Sequence, residues 1–349
     1  MKIKLLGKLS LKKAVKTGEG QRKTEKERVE ERREEVLARG RKFKYPLQYA
    51  KHKMVVNTII VALVAVVALG LTGFLELYKF QDMGDIMYRI SRILPLPVAE
   101  VDGEKVKFAD YLMTARSSIA ALEQQSGLED NSEDKETMIE VYKRTALTQA
   151  EDLTYAVKLA KEEEIEVSNE EVAKAFDEHR KVGGAERSEE SFLKVLATNF
   201  GLSKREYQRM LYLALLRAKV EQKIDTEALK TAEALERELS ENGGDFQAAK
   251  EKFGERVELE GTSGLIDNKN VDGGRSGKAA SLEEGAQSGK FVSSNGDGYY
   301  FVKLNKKTET QVDYVSLFVK FKEFDKRLEM IRESGGVKEY IKLKETQEE

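Results

Sequence analysis

The run from Met54 to Leu75, MVVNTIIVALVAVVALGLTGFL, most limits what this chain can fold into. It contains no charged residue over 22 positions, and a helix of that length, at ~1.5 Å per residue, spans the ~30 Å hydrocarbon layer of a bilayer. A buried core helix normally keeps a polar side, and this run has none, so the sequence predicts a transmembrane helix over residues 54–75. A cleaved signal peptide is the alternative. Its basic region would be 53 residues long and no A-x-A site follows, which favours an uncleaved signal anchor.

Charge is distributed unevenly around this run. Residues 1–53 hold eighteen Lys and Arg against seven Asp and Glu, whereas the single charge just after the run is Glu76. This asymmetry predicts a basic cytoplasmic arm, a single-pass span and a large acidic part outside the cell membrane. The arm includes RKTEKERVEERREEVLARGRK, which we expect to be a solvated helix near anionic lipid. Contact with nucleic acid or the ribosome is the alternative for the arm, although we expect no nucleic-acid partner. His52 belongs to the same juxtamembrane cluster and is expected at the surface.

Composition excludes several kinds of chemistry. The chain has no Cys and only two His, His52 and His179. Disulfides, thiolate metal sites and Cys nucleophiles are therefore excluded, and zinc or Ser-His-Asp sites are poorly supported. No G-x-x-x-x-G-K-[ST] loop indicates nucleotide hydrolysis. We expect no cofactor, no metal and no catalytic residue.

The segment after the span predicts a hairpin followed by helices. In PVAEVDGEKVKF, strand-like residues flank Asp102-Gly103, a dipeptide suited to positive φ in a tight turn. Helical spacing follows in two segments. The first places Leu112, Ala115, Ile119 and Leu122 on one stripe; the second does the same for Met138, Tyr142, Ala146, Leu147, Ala150, Leu153, Val157 and Ala160.

Two S-x-x-E boxes predict where later helices begin. They start at Ser168 and Ser203, where hydroxyl and carboxylate would satisfy each other's backbone donors. The helix from about Lys204 to Asp225 is expected to bury Tyr207, Leu211, Ala214, Leu215 and Ala218. His179 is expected to be solvated.

Four successive pieces resemble the SurA-type N-terminal domains of exported chaperones and membrane-anchored foldases. VAEVDGEKVKFADY is similar to the family's V-x-V-N-G-x-x-I-(T/S)-x-x-x-Y opening, with Asp102 where Asn is usual. DLTYAVKLAKEEEIEVSNEEVAKAF is similar to its long helix, bend and short acidic helix. FLKVLATNFGLSKREYQRML and LLRAKVEQKI look like its next two helices. The resemblance covers residues 97–225 and implies a mostly helical chaperone domain.

Residues 226–307 resemble a parvulin prolyl isomerase domain. AEALERELSENGGDFQAAKEKFG looks like its helix, G-x-D-F turn and second helix, and Gly264-Leu265 resembles its L-G turn. SLEEGAQSGKFV and NGDGYYFVKL resemble its later turn and its closing strand. The resemblance implies a small α/β domain, so the expected fold class is α+β.

This second resemblance lacks the parts that catalyse prolyl rotation in the family. The two facing His are absent: Tyr300 occupies the closing-strand His position, and Ala280 lies where a pocket Phe usually precedes the leucine, here Leu282. The resemblance implies a substrate pocket at Ala280, Leu282 and Tyr300, without catalytic residues. The opening strand of the family is not visible before Ala232. Residues 312–319, VDYVSLFV, could complete the sheet or begin a separate strand and helix tail over 308–349.

The sequence leaves two functions open and permits a third. We favour an ATP-independent chaperone or foldase, anchored outside the cell membrane, that binds unfolded or nascent exported polypeptides through shallow apolar surface between the two domains. The alternative is an active peptidyl-prolyl isomerase with a diverged pocket, since rotation about the tertiary amide crosses a barrier of ~20 kcal/mol. An envelope scaffold that binds one folded partner is the third. The sequence does not indicate an oligomeric state.

Overall fold

The structure is a computed structural model that describes residues 24–44, 46–125, 133–182 and 185–343. The chain forms two compact units, Met1–Thr72 and Gly73–Glu349. The fold class is α+β, as the sequence predicts.

The described residues of the first unit, from 24 onward, lie mostly in two helices. Helix α1 spans Glu25–Lys44, and its side chains are exposed from residue 25 to residue 40, including Val29, Val36 and Leu37, as predicted. Helix α2, Pro46–Leu75, continues into a π-helical turn at Glu76–Phe80. The stretch Lys53–Phe80 is long and apolar enough to cross a membrane, and the described residues do not bury its most apolar 18-residue window. The side chain of His52 lies outside the described residues.

The second unit begins with a helical domain. Its elements are α3 (Asp85–Ile93), β1 (Pro97–Val101), β2 (Glu104–Lys107), α4 (Phe108–Gln125), α5 (Glu133–Glu162), α6 (Asn169–His179), β3 (Lys181–Val182), β4 (Ala185–Glu186), α7 (Glu189–Phe200) and α8 (Lys204–Ile224). Strands β1 and β2 pair antiparallel, with Val101 opposite Glu104. The intervening Asp102 and Gly103 have φ of 48° and 82°, which confirms the predicted turn.

Local capping starts the later helices where the sequence places them. Ser168 and Ser203 each accept a hydrogen bond from the backbone N–H three residues on, while Glu171 and Glu206 accept from the two serine N–H groups. Both capping boxes are therefore confirmed. His179, at the end of α6, is exposed as expected.

The expected buried stripe of α8 is partly wrong. The structure buries Leu211, Leu213, Leu216, Val220 and Ile224, while Ala214 is exposed. The N-terminal half of α8 packs into a cluster with α6 and α7. Its C-terminal half packs with α5 into the main core, the apolar cluster of the helical domain that includes Tyr111, Leu147 and Leu216. The buried side therefore changes along the helix, and a single stripe does not describe it.

A sheet domain follows. It contains α9 (Thr226–Glu241), α10 (Phe246–Phe253), β5 (Glu258–Gly261), β6 (Ile266–Asp267), α11 (Arg275–Ala280), β7 (Phe291–Val292), β8 (Gly298–Lys307) and β9 (Gln311–Lys320). The antiparallel sheet has the order β5-β9-β8-β7, and β6 also pairs with β9. Successive side chains of β8 lie on opposite faces of the sheet. Tyr299 and Phe301 pack against α9 and α10, whereas Val302 and Leu304 pack against α11.

Residues 312–319 belong to this sheet. Strand β9 contains them and pairs with β8 on one side and with β5 on the other. The division expected at residue 307 separates two strands that form one hairpin, so the strand is not part of a separate tail.

The chain then returns to the helical domain. Helix α12, Glu323–Glu333, buries Phe324 and Leu328 in the main core, and β10, Val337–Glu339, pairs with β1. Ile341 and Leu343 are buried in the same core. The helical domain expected to end at residue 225 therefore includes a C-terminal segment, because helices α5 and α8 leave an apolar surface that α12 covers.

A buried carboxylate lies where this segment meets α5. Glu151 is 3% exposed, and its Oε2 lies 3.7 Å from Arg332 of α12. Its Oε1 has no hydrogen-bond partner among the described residues. Burial raises the pKa of Glu151 to about 7; Glu339 and Asp152 raise it further, and Arg332 and Arg144 lower it.

We predict that replacing Gly103 by Ala destabilises the protein by about 1 kcal/mol, because a Cβ at this positive φ is strained. An added Cβ there meets no atom within 4 Å, so the effect isolates the backbone conformation. Gly277→Ala is the matched control: its Cβ also enters open space, but within α11, where Ala is favoured. Chemical denaturation of the wild type and both variants measures the free energy of unfolding. Equal stabilities of the two variants would contradict the assigned turn.

We predict that Glu151→Gln changes the pH dependence of stability. The folded-state pKa of about 7 exceeds the usual 4.5, so the folded protein binds the additional proton and gains stability as pH falls through this window. Above pH 7 the wild type bears the full cost of a buried charge. The variant should be relatively more stable at pH 8 than at pH 5, measured by thermal unfolding against wild type. Arg332 keeps Asp152, at 2.6 Å, as its partner in the variant. Parallel profiles would contradict the prediction.

Candidate functional site

The residues expected to form a substrate pocket lie on one face of the sheet. Ala280 and Leu282 pack partly buried against the cluster that contains Val302 and Leu304. Phe291 packs against the same cluster, and its ring centroid lies 6.1 Å from that of Tyr300. The structure therefore places the three residues on the same side of the sheet, and Phe291 packs beside Tyr300 on that side.

The ring of Tyr300 is covered. It is 5% exposed and stacks on Phe318 with a centroid distance of 4.5 Å and an interplanar angle of 17°. The Arg275 guanidinium lies 4.8 Å from the ring centroid, within the range of a cation–π contact. Burial raises the pKa of Tyr300 to about 12, although Arg275 lowers it. The side chain at this position thus packs as part of the sheet domain.

An apolar groove lies in the helical domain, between α4, α5 and α8. We call it the Met113 groove. Its volume is about 220 Å³, and its apolar lining comes from Met113, Ala150, Leu153, Met210, Leu211, Leu213 and Ala214. Leu153 and Met210 are half-buried and Ala214 is exposed, so the groove presents apolar atoms to solvent.

Polar side chains stand at the rim of the Met113 groove. The His179 Nδ1 lies 2.6 Å from the Tyr207 hydroxyl, and both residues line the groove. Burial raises the pKa of Tyr207. Asp110, also at the rim, accepts from Arg209 at 3.1 Å. The rim can therefore hydrogen-bond a bound chain, while the floor offers non-directional apolar contact.

Met113 also lines a second, more polar cavity of about 540 Å³ between α3, α4 and α8. Arg92 and Glu206 form an ion pair across it at 3.6 Å. Burial raises the pKa of Tyr88 in its wall, and a hydrogen bond with Glu206 acts in the same direction. Met113 and Asp110 thus line both the apolar groove and the charged cavity.

The location of the groove differs from the sequence expectation. Apolar binding surface was expected between the two domains, whereas the Met113 groove lies within the helical domain. Leu153 was assigned to the predicted stripe of α5, but Met113 and Met210 were missed because they lie beside the stripes of their helices. Methionine beside an apolar stripe is the signal that could have identified them. Among the described residues, no group of His, Asp and Glu could hold a metal ion.

Comparison with known families identifies the helical domain. A family model described as SurA-like N-terminal domain matches residues 47–221, half of the chain. The chain belongs to this family. The match contains α3 to α7 and α8 as far as Glu221, so every wall of the Met113 groove lies within the SurA-like domain. Comparison with curated proteins gave no match.

We predict that Tyr300→Ala destabilises the protein by about 3 kcal/mol or more, because it removes a buried ring and leaves a cavity against Phe318. Tyr300→Phe keeps the stacked ring and is the matched control, with an expected change below about 1 kcal/mol. Denaturant unfolding of the two variants makes the comparison. A Tyr300→Ala variant as stable as wild type would show that the ring is not part of the core.

Proposed function

We propose that this protein is a membrane-anchored, extracytoplasmic chaperone that binds unfolded exported polypeptides without ATP. The observation that carries the proposal is the Met113 groove, an apolar groove open to solvent within the SurA-like domain. A chaperone-type function fits this family membership.

The shape and lining of the groove suit extended, variable chains. Its volume of about 220 Å³ is below the ~300–1,000 Å³ of typical small-molecule sites, so it can take one or a few side chains at a time. Met113 and Met210 are flexible and polarizable, and such side chains repack around different partners. Contacts of this kind tolerate many sequences and give modest affinity.

The anchor is supported by the helix through Lys53–Phe80 and by the charges beside it. The basic excess precedes the helix and Glu76 follows it, which favours a cytoplasmic N-terminus and an outside position for the SurA-like domain. A signal sequence passes the same test of length and composition, and the same charges would then direct export. In either case the groove would meet polypeptides after translocation.

The covered position of Tyr300 in the sheet domain argues against prolyl isomerase catalysis. We propose that it is a degenerate parvulin-like domain, with Tyr300 in place of the closing-strand His of that family. The ring of Tyr300 is covered by Phe318 and Arg275, so this position offers no open apolar slot for a proline ring. An active isomerase with a diverged pocket is the alternative function.

We predict that Ala214→Glu weakens the suppression of client aggregation several-fold in the full chain. Ala214 is exposed in α8 and lines the groove, so the new carboxylate would have to be desolvated by a bound apolar side chain. Stability should change little, because the position is solvated. The measurement is light scattering of several unrelated unfolded clients, with no nucleotide present.

Ala173→Glu is the matched control for this experiment. Ala173 is an exposed helical alanine in α6 and is not among the residues that line the groove. It should suppress aggregation as well as wild type does. Equal activity of both variants would exclude the groove as the binding site, and suppression of only one client would favour a scaffold with a dedicated partner.

We predict that the full chain leaves the cis-to-trans conversion of an X-Pro peptide at its uncatalysed rate, tens of seconds or slower at room temperature. The physical reason is the absence of a facing His pair together with the covered ring at Tyr300. A protease-coupled peptide assay measures the rate. Clear acceleration that Ala214→Glu leaves intact would establish the isomerase alternative.

A further inference from the structure

Helix α3 carries an apolar face that the rest of the described chain does not cover. Ile86 is 70% exposed and Ile93 is 80% exposed; they are seven residues apart and lie on the same side of the helix. Phe80 before the helix and Leu94 after it are also exposed. We call these four residues the α3 apolar face. On the opposite side, Ser91 is buried and Met87 packs against the main core, so the helix is amphipathic.

The position of α3 along the chain restricts what can cover this face. Residues 81–84 connect α3 to the end of the apolar helix at Phe80, and four residues reach at most about 14 Å. Within the second unit, the turn Glu76–Phe80 packs on the helical domain, because Leu77 is fully buried and the Tyr78 hydroxyl donates to the Pro97 carbonyl at 2.6 Å. If the apolar helix spans a bilayer, α3 is held within one short connector of the bilayer surface.

Charge beside the face favours an anionic surface. Arg89 lies between Ile86 and Ile93 on the exposed side and is itself exposed. The adjacent polar cavity is lined by Arg89, Arg92, Arg205 and Arg209 against Asp110 and Glu206. This excess of positive charge complements phosphate-containing lipid headgroups, and arginine stems beside apolar residues suit the headgroup layer.

We infer that the α3 apolar face lies in the headgroup layer of the bilayer that holds the anchor, with Ile86 and Ile93 directed towards the acyl chains and Arg89 towards phosphates. This inference rests on the proposed membrane anchor and extends it. The docked helix gives the SurA-like domain a fixed contact with the membrane surface. Because Met113 lines both the cavity beside α3 and the groove, docking also holds the Met113 groove close to that surface.

The test uses the full chain in nanodiscs of phosphatidylcholine with phosphatidylglycerol. The native sequence has no Cys, so single-Cys variants can each carry one environment-sensitive fluorophore. Ile93→Cys probes the face, Val64→Cys probes the apolar helix, and Val271→Cys, at a side chain that is 84% exposed in the sheet domain, is the solvated control. Lipids with a quencher at the top of the acyl chain report contact with the bilayer.

The expected result is several-fold stronger quenching at Ile93 than at Val271, together with strong quenching at Val64 by lipids quenched deeper in the chain. Adding Arg89→Glu to the Ile93→Cys variant should reduce the Ile93 quenching. Quenching at Val64 with none at Ile93 would overturn this inference and leave the anchor standing. No quenching at Val64 would overturn the anchor and this inference together. An Ile93 label that is shielded only after an unfolded client is added would assign the face to client binding and overturn membrane docking.

Discussion

One buried carboxylate holds together the point where the chain leaves the helical domain and the point where it returns. Asp225 is buried, and its Oδ1 accepts from the Ala228 N–H at 2.8 Å, which caps the first turn of α9. Its Oδ2 accepts from the backbone N–H groups of Lys322 and Glu323 at 2.7 and 3.1 Å, at the start of α12. Two helices almost one hundred residues apart thus begin on one side chain, which accepts from one N–H in the first turn of α9 and from two at the start of α12.

This junction makes the sheet domain an insertion in the helical domain. Helix α12 follows the junction and packs Phe324 against Tyr155 of α5, with a ring-centroid distance of 5.4 Å. Arg217 of α8 lies 4.8 Å from the same ring. Strand β10 then adds to β1. The elements that form the Met113 groove, α4, α5 and α8, therefore belong to a core that is complete only when the C-terminal segment is in place.

The parts predicted from sequence are those that local chemistry decides. The turn at Asp102-Gly103 and the boxes at Ser168 and Ser203 depend on residues within four positions of each other. The pairing of β1 with β10 joins Ala99 to Glu339, and no short-range pattern encodes such a contact. The change of buried side along α8 was missed for a related reason, because its two halves meet different neighbours. The groove around Met113 results from this change, since Ala214 is left on the open side.

The architecture depends on one junction: the segment after residue 320 is part of the helical domain, and Asp225 joins the start of α9 to the start of that segment. Hydrogen–deuterium exchange of the full chain with Asp225→Ala tests it most directly. We expect the backbone amides of the variant to exchange faster than those of the wild type at the starts of both α9 and α12. We also expect faster exchange in β1, because β10 follows α12 and pairs with β1. Faster exchange confined to the first turn of α9, with α12 and β1 as protected as in the wild type, would contradict it.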